Sequence, residues 1–221
     1  MKERWIFMKK TLSLLLAAVM LLTLAMPAFA ANTKTETLFE QINSKKEVAV
    51  TLEAGNGGMD SVYIKGNKFA YDYKLGFLTA RIVLVDNVLY GYLPILPFFY
   101  VKIDNAGLAN MDLWQLIKVA TGITTTVLNH VKDETVTEDG VTYYVEEFND
   151  RATVTSRFYY VGDTLKKLVV HDSSNGSTQV TKFESISLTV PDSVFAVPGG
   201  FDLSPYLSGL FSGGLSALLT A

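Results

Sequence analysis

The chain of 221 residues contains no cysteine and only two histidines, His130 and His171. A chain without cysteine has no disulfide, no catalytic thiol and no thiolate ligand for zinc. The two histidines are far apart in the sequence and form no metal-binding spacing. The sequence also lacks a G-x-S-x-G nucleophile motif and a glycine-rich phosphate loop. We therefore expect a protein that is not an enzyme and that holds neither a metal nor another cofactor.

Basic residues are a minority, with 19 Lys and Arg against 22 Asp and Glu. Four basic residues precede residue 11, and an apolar run, 12–26, and the small residues Ala28 and Ala30 follow. This pattern predicts a secretory signal peptide at 1–30, and its removal leaves a more acidic chain. An acidic chain without a basic stripe is not expected to bind nucleic acid. We expect an exported bacterial protein, extracellular or in the cell envelope, that is soluble or peripherally attached.

The remaining sequence consists of short apolar runs separated by turn residues. In the run 47–54, for example, Val48, Val50 and Leu52 alternate with polar or small residues, which is the period of a half-buried strand. Two such meanders flank a predicted helix at 112–130, and a short helix is predicted at 35–44. We expect the α+β class: one strongly curved antiparallel sheet, a half-barrel of about ten or eleven strands, with helices on its concave side. The two meanders are expected to pair at their edges.

One bend differs from the others in its chemistry. The other bends use Gly, Asn or Asp, whereas residues 94–97 read Pro-Ile-Leu-Pro and are followed by Phe98 and Phe99. In one interpretation this bend folds back and is buried core. In the other, Ile95, Leu96, Phe98 and Phe99 form an exposed apolar lip for a ligand or a membrane surface.

The chain ends in an apolar segment, 205–221, after a single predicted domain at 31–204. It has no charged residue, and at helical spacing Leu207, Leu210 and Phe211 share one face. With three glycines it is too short and too interrupted to span a membrane. We expect it to form a lid beside the lip, and ordinary core is the alternative.

Aromatic residues are abundant, with 11 tyrosines and 13 phenylalanines. Strand propensity and core packing explain them in one interpretation, and a tyrosine-lined apolar cavity explains them in the other. On the cavity hypothesis, six strand residues alternate toward one face and one of two helical residues packs over them. The predicted ligand wall is Tyr71, Tyr73, Ile82, Leu84, Tyr90, Tyr92, Trp114 and Ile117.

The segment 187–203, together with the order of the predicted elements, resembles the Lol-type lipoprotein carriers and the related mycobacterial lipid-binding lipoproteins. The residues that carry this resemblance are Asp192, Phe195, Pro198, Gly200 and Phe201. It implies a half-open β-barrel closed by helices, with a binding site for acyl chains. We therefore expect a binding module for a lipid, for lipoprotein acyl chains or for another apolar small molecule. The alternative is a protein-interaction or envelope-sensor module of the same fold without bound lipid.

Overall fold

The computed structural model describes residues 33–53, 58–75, 77–104, 129–151 and 153–206. The described elements are one α-helix, twelve strands and a 3-10 helix. In chain order they are α1 (Lys34–Lys45), β1 (Glu47–Glu53), β2 (Met59–Lys65), β3 (Lys68–Leu75), β4 (Leu78–Val85), β5 (Val88–Tyr92), β6 (Phe99–Asp104), β7 (Asn129–Glu138), β8 (Val141–Arg151), β9 (Val154–Val161), β10 (Thr164–Asp172), β11 (Ser177–Ser187), the 3-10 helix (Asp192–Phe195) and β12 (Phe201–Asp202).

The described strands form one open sheet in the order β12-β6-β5-β4-β3-β2-β1-β11-β10-β9-β8-β7. The first meander, β1 to β6, meets the second, β7 to β11, where β1 pairs with β11. This junction confirms the expectation that the two meanders pair at their edges. Neighbouring strands are antiparallel except β12, which runs parallel to β6.

The prediction of an α+β half-barrel of about ten or eleven strands, with helices on its concave side, is wrong, because the described strands form one long open sheet of twelve. The described residues are nearly all strand, with one α-helix and a 3-10 helix of four residues. The turns at Asp86-Asn87 and Asp139-Gly140 have positive φ at both central residues, which is the geometry of a tight β-hairpin. Each turn therefore connects two antiparallel strands of the sheet. The strand that exceeds the expected ten or eleven is β12. It has only two residues, which is too short to show a strand period. The predicted helix at 112–130 lies outside the described residues except for its last two, which begin β7.

Helix α1 has a strong start signal in the sequence, and the short helix predicted at 35–44 is confirmed. The Thr33 hydroxyl accepts a hydrogen bond from the backbone N–H of Glu36, and the Glu36 carboxylate accepts one from the N–H of Thr33. This capping box pairs two N–H groups that would otherwise lack partners. At the other end Lys46 adopts a left-handed conformation and ends the helix.

The two faces of the sheet are covered differently. On the face that α1 covers, here called the helix face, Phe39 and Ile42 of the helix pack against residues such as Val50 and Phe158. On the other face, here called the far face, Val190 and Phe195 cover a smaller cluster from β3 and β4. The alternation of apolar residues in β1 therefore reflects a sheet with a large core on one side and a small one on the other.

Candidate functional site

Four of the six predicted strand residues of the ligand wall lie on the helix face. Tyr71 is paired with Ile82 across β3 and β4, and cross-strand partners share a face. Tyr71 and Leu84 are buried in the main core, and Tyr73 packs against it half-buried. Ile82 differs from these three because 37% of it is exposed.

The prediction that Tyr90 and Tyr92 share this face is wrong. The tight turn pairs Val85 with Val88, so even-numbered residues of β4 continue as odd-numbered residues of β5. Leu89 is therefore the neighbour of Leu84 on the helix face, whereas Tyr90 and Tyr92 pack against the cluster on the far face. A one-residue change of parity moves every side chain of a strand to the other face.

The hydroxyl of Tyr71 is held inside the core by a buried carboxylate. It donates a hydrogen bond to Asp60 Oδ2 at 2.9 Å, and Asp60 Oδ1 accepts one from the Lys74 N–H at 3.0 Å. Burial, together with the negative charge of Asp60, raises the pKa of Tyr71. Tyr71 is thus a neutral donor that satisfies Asp60, and its hydroxyl is not directed at open space.

An apolar cavity of about 320 Å³ lies where β4, β5 and β6 run side by side. Its floor follows the helix-face row in which Ile82, Gly91 and Val101 are cross-strand partners. Gly91 has no side chain to fill this row, and even a Cβ there would come within 3.1 Å of Val101 Cγ2. The complete lining is Ala80, Arg81, Ile82, Gly91, Tyr92, Leu93, Leu96, Phe99, Tyr100, Val101 and Leu203.

The cavity brings together residues that the sequence assigned to separate features. Ile82 comes from the predicted wall, and Leu96 and Phe99 come from the predicted lip. Leu203, which directly follows β12, also lines the cavity and was not predicted from the sequence. No local signal could have identified Leu203, because its neighbours in β6 are about a hundred positions away in the sequence.

The cavity borders an exposed cluster of large apolar side chains, here called the apolar patch. Ile95 is 70% exposed and Tyr206 is 71% exposed. Two ring pairs organise it, with centroids 5.0 Å apart for Phe98–Phe99 and 5.6 Å apart for Phe201–Tyr206. The patch consists of Ile95, Leu96, Phe98, Phe99, Phe201 and Tyr206. The interpretation of the 94–97 bend as buried core is therefore wrong, and the bend is an exposed lip.

A close backbone contact holds β12 against this lip. Gly200 has φ +125°, and a Cβ at this position would lie only 2.8 Å from Phe98 Cα. The glycine allows the Phe201 N–H to donate to the Phe98 carbonyl at 2.8 Å. Ser204 then binds the backbone of Lys102, accepting from its N–H at 2.6 Å and donating to its carbonyl at 2.9 Å. The Gly200-Phe201 pair that the sequence singled out is the point at which the chain joins the edge of the sheet.

A contact on the far face holds the segment that leads from the 3-10 helix to β12. The Tyr92 hydroxyl donates to the Ala196 carbonyl at 3.1 Å, just after the 3-10 helix. Arg81 makes two hydrogen bonds to Asp72, at 2.6 and 2.7 Å, and these raise the pKa of Arg81. The guanidinium is therefore already paired within the sheet, so the cavity presents no unpaired charge from Arg81.

Several predicted residues cannot be placed. Trp114 and Ile117 of the predicted wall lie outside the described residues, as do Leu207, Leu210 and Phe211 of the predicted lid. The predicted signal peptide at 1–30 also lies outside them. Within the described ranges, acidic and histidine side chains form no group of three or more that could hold a metal ion. The same part of the chain contains no helix long and apolar enough to cross a membrane.

The sequence matches no family model, and it matches no curated protein. Among solved structures it is similar to an uncharacterized conserved protein from Thermus thermophilus, with 10% identity and a TM-score of 0.40 over 77% of this chain and 99% of that one. It is similar to the MucA/MucB complex of Pseudomonas aeruginosa, with 13% identity and a TM-score of 0.27 over 71% of this chain and 60% of that one. A LolA superfamily protein from Nitrosomonas europaea has 14% identity and a TM-score of 0.25, over 75% and 98% of the two chains. These values are too low to carry an argument, and membership of the Lol-type family stays a prediction.

Proposed function

We propose that this protein is a non-catalytic binding module that receives an apolar ligand, such as an acyl chain, in the cavity between β4, β5 and β6. The observation that carries the proposal is the position of this cavity beside the exposed apolar patch. Leu96 and Phe99 belong to both, so a ligand that enters the cavity also covers part of the patch.

The size and chemistry of the cavity favour one apolar chain. Its volume of about 320 Å³ is at the lower end of the ~300–1,000 Å³ typical of small-molecule sites. Aliphatic and aromatic side chains dominate the lining, and Arg81 is already paired with Asp72. Fully burying an exposed large apolar side chain contributes about 1.5–3 kcal/mol, and the patch side chains, which are 42–71% exposed, would contribute part of that. A charged or strongly polar ligand would gain little from such a surface.

The sequence of residues 1–30 supports export, because it combines a basic start, an apolar run and small residues before Ala31. An exported module would meet its apolar ligand in the cell envelope or outside the cell. We include this location in the proposal.

Ile82 offers the sharpest test, because it lines the cavity and is already partly exposed. A titration of the exported chain with a fluorescent fatty acid should show saturable binding, and Ile82→Asp should weaken it about tenfold or more by placing a charge in the cavity. Val180→Asp is the matched control, because Val180 is a strand residue that is 54% exposed and is absent from the cavity lining. Equal binding by both variants would refute this cavity as the ligand site.

A protein-interaction module is the second candidate, and the aromatic content of the patch favours it. Exposed aromatic anchors are enriched at the centres of protein interfaces, and three of the six patch residues are phenylalanines. For this candidate, Phe98→Ser should abolish binding of a protein partner while the affinity for a fatty acid stays unchanged. Under the leading proposal the cavity substitution Ile82→Asp has the larger effect on fatty acid binding.

A further inference from the structure

We infer that two neighbouring hairpin tips dock this protein on a lipid surface by inserting their side chains into its apolar layer. The tip residues, here called the apolar tips, are Phe77 in the β3–β4 turn and Ile95, Leu96 and Phe98 in the β5–β6 bend. This docking does not rest on the proposed function, because it requires no ligand in the cavity.

The topology of the sheet places both tips at the same end. Antiparallel pairing joins Leu75 to Leu78 at the β3–β4 turn and Tyr92 to Tyr100 at the β5–β6 bend. Strand β4 begins at the end where β5 finishes, since Arg81 is the partner of Tyr92. The two tips are separated by two strand spacings, which is about 10 Å at ~4.7–4.9 Å per strand. They can therefore meet one flat surface together.

The side chains at these tips are apolar and protrude. Phe77 is 94% exposed, Ile95 is 70% exposed and Phe98 is 50% exposed. Residues 75–78 and 93–99 contain no charged or polar side chain. At the opposite end of the same strands the turns are Gly66-Asn67 and Asp86-Asn87, which suit a turn in water. An almost fully exposed phenylalanine serves neither its turn nor the core, so it is available to a second surface.

The backbone of the β5–β6 bend suits hydrocarbon. Its two prolines carry no N–H group. The Leu96 N–H donates to the Leu93 carbonyl at 2.8 Å, and the Phe99 N–H donates to the Leu96 carbonyl at 3.2 Å. Four of the six residues 94–99 therefore present no unpaired N–H group. Unpaired backbone groups are costly in a lipid environment but not in water or against a polar partner, so this arrangement favours lipid.

The area of the tips is small for a protein partner. Fully burying an aromatic side chain removes ~150–250 Å² from water, so the partly exposed apolar tips together offer roughly 500 Å² or less. A stable protein interface needs about 800 Å² on each partner and one hydrogen bond per ~100–200 Å². The apolar tips provide neither that area nor a polar side chain. A lipid layer requires neither, and it fits the tips better than a second copy of the chain does.

The charges around the tips indicate a neutral lipid surface. Arg81 is paired with Asp72, and the whole chain has a net charge of −3. Electrostatic attraction to anionic headgroups is therefore not expected. Beside the bend, Tyr206 is 71% exposed and stacks on Phe201, and an aromatic ring with a hydroxyl suits the headgroup level. Docking should thus occur on zwitterionic lipid and should not weaken at high salt.

The absence of cysteine allows a fluorophore to be placed at one tip. The purified protein with Phe77→Cys, labelled with an environment-sensitive dye, should show a blue shift when phosphatidylcholine vesicles are added. The control is Val161→Cys, because Val161 is 40% exposed beside the β9–β10 turn at the opposite end of the sheet. An equal shift of the two labels, or no shift of either, would overturn the inference.

Vesicle sedimentation measures the contribution of the tip. Phe77→Ser should lower the partition coefficient on phosphatidylcholine vesicles about tenfold or more, because it removes a large apolar side chain from the lipid. Since Phe77 is 94% exposed, the fold should tolerate this change, and Val161→Ser should leave the partition unchanged. Binding that requires anionic lipid and is lost in high salt would overturn insertion. A dimer that Phe77→Ser abolishes, without vesicle binding, would show that the occupant is a second copy.

Docking and the proposed function fail in distinguishable ways. Ile82→Asp should leave vesicle binding unchanged, because Ile82 lies in the cavity lining and not at a tip. Vesicle binding without fatty acid binding would support docking and refute the function. Fatty acid binding without vesicle binding would support the function and refute docking.

Discussion

A buried carboxylate, Glu146, binds the first turn of α1 to the sheet, and its removal should destabilise the fold. Glu146 is fully buried on the helix face of β8. Its Oε1 accepts from the Lys34 N–H at 2.7 Å, and its Oε2 accepts from the Thr35 N–H at 2.8 Å. The N-terminus of a helix carries partial positive charge and unpaired N–H groups, so a carboxylate is well suited to this position.

The substitution Glu146→Gln preserves the shape of the side chain and removes the charge. The amide nitrogen cannot accept a hydrogen bond, so either the buried Thr35 N–H or the partly buried Lys34 N–H loses its partner, which costs about 1–3 kcal/mol. Loss of the favourable interaction with the helix dipole adds about 0.3–1 kcal/mol. We therefore expect the free energy of unfolding to fall by about 1–4 kcal/mol.

Urea denaturation monitored by circular dichroism measures this loss, and Glu147→Gln provides the matched control. Glu147 is the next residue of the same strand, points to the far face and pairs with Arg157 at 2.9 Å. Because that ion pair is partly solvated, its loss should cost less than about 1 kcal/mol. Amide hydrogen exchange should also lose protection at Lys34 and Thr35 only in the Glu146 variant. Equal destabilisation by the two variants, with unchanged exchange at both amides, would refute the reasoning.

Two further predictions concern the edge strand and alkaline pH. Gly200→Ala should destabilise the protein by about 1–3 kcal/mol and increase binding of an apolar dye, because residue 200 has a positive φ and the added Cβ would collide with Phe98. Urea denaturation and dye fluorescence measure the two effects. Gly199→Ala is the control, because Gly199 has no positive φ and a Cβ there would have nothing within 4 Å. Burial raises the pKa of Tyr71, and burial with Asp133 raises the pKa of Tyr144 to about 12. Unfolded tyrosines ionise near pH ~10, so the stability from these two groups is present below that pH and is lost as pH rises toward the folded pKa values. Ultraviolet titration of tyrosinate should show late ionisation that disappears in urea, and ordinary titration in the folded chain would contradict it.

The strands were predictable because local chemistry determines them. Asp86-Asn87 and Asp139-Gly140 are residues that tolerate positive φ, and they separate runs with strand periodicity. The capping box of α1 is a local signal of the same kind, since its Thr and Glu lie three residues apart. Features that depend on a few neighbouring residues are therefore visible in the sequence.

The composition of the site was less predictable because it depends on register and on distant contacts. The unusual bend at 94–97 was visible, since Ile95 and Leu96 do not serve the turn that contains them, but the sequence left open whether it was buried core or an exposed lip. The faces of Tyr90 and Tyr92 were not visible, because they depend on whether the preceding turn contains an even or odd number of residues. The place of Leu203 in the cavity depends on β12 joining β6 from the far end of the chain.

Native mass spectrometry of the gently purified protein tests most directly the claim that the cavity holds an apolar ligand. The account predicts a population with the added mass of one lipid or other apolar molecule, and loss of that population in Ile82→Asp but not in Val180→Asp. A chain that carries no added mass, and that still shows none after incubation with fatty acids and phospholipids, would contradict it.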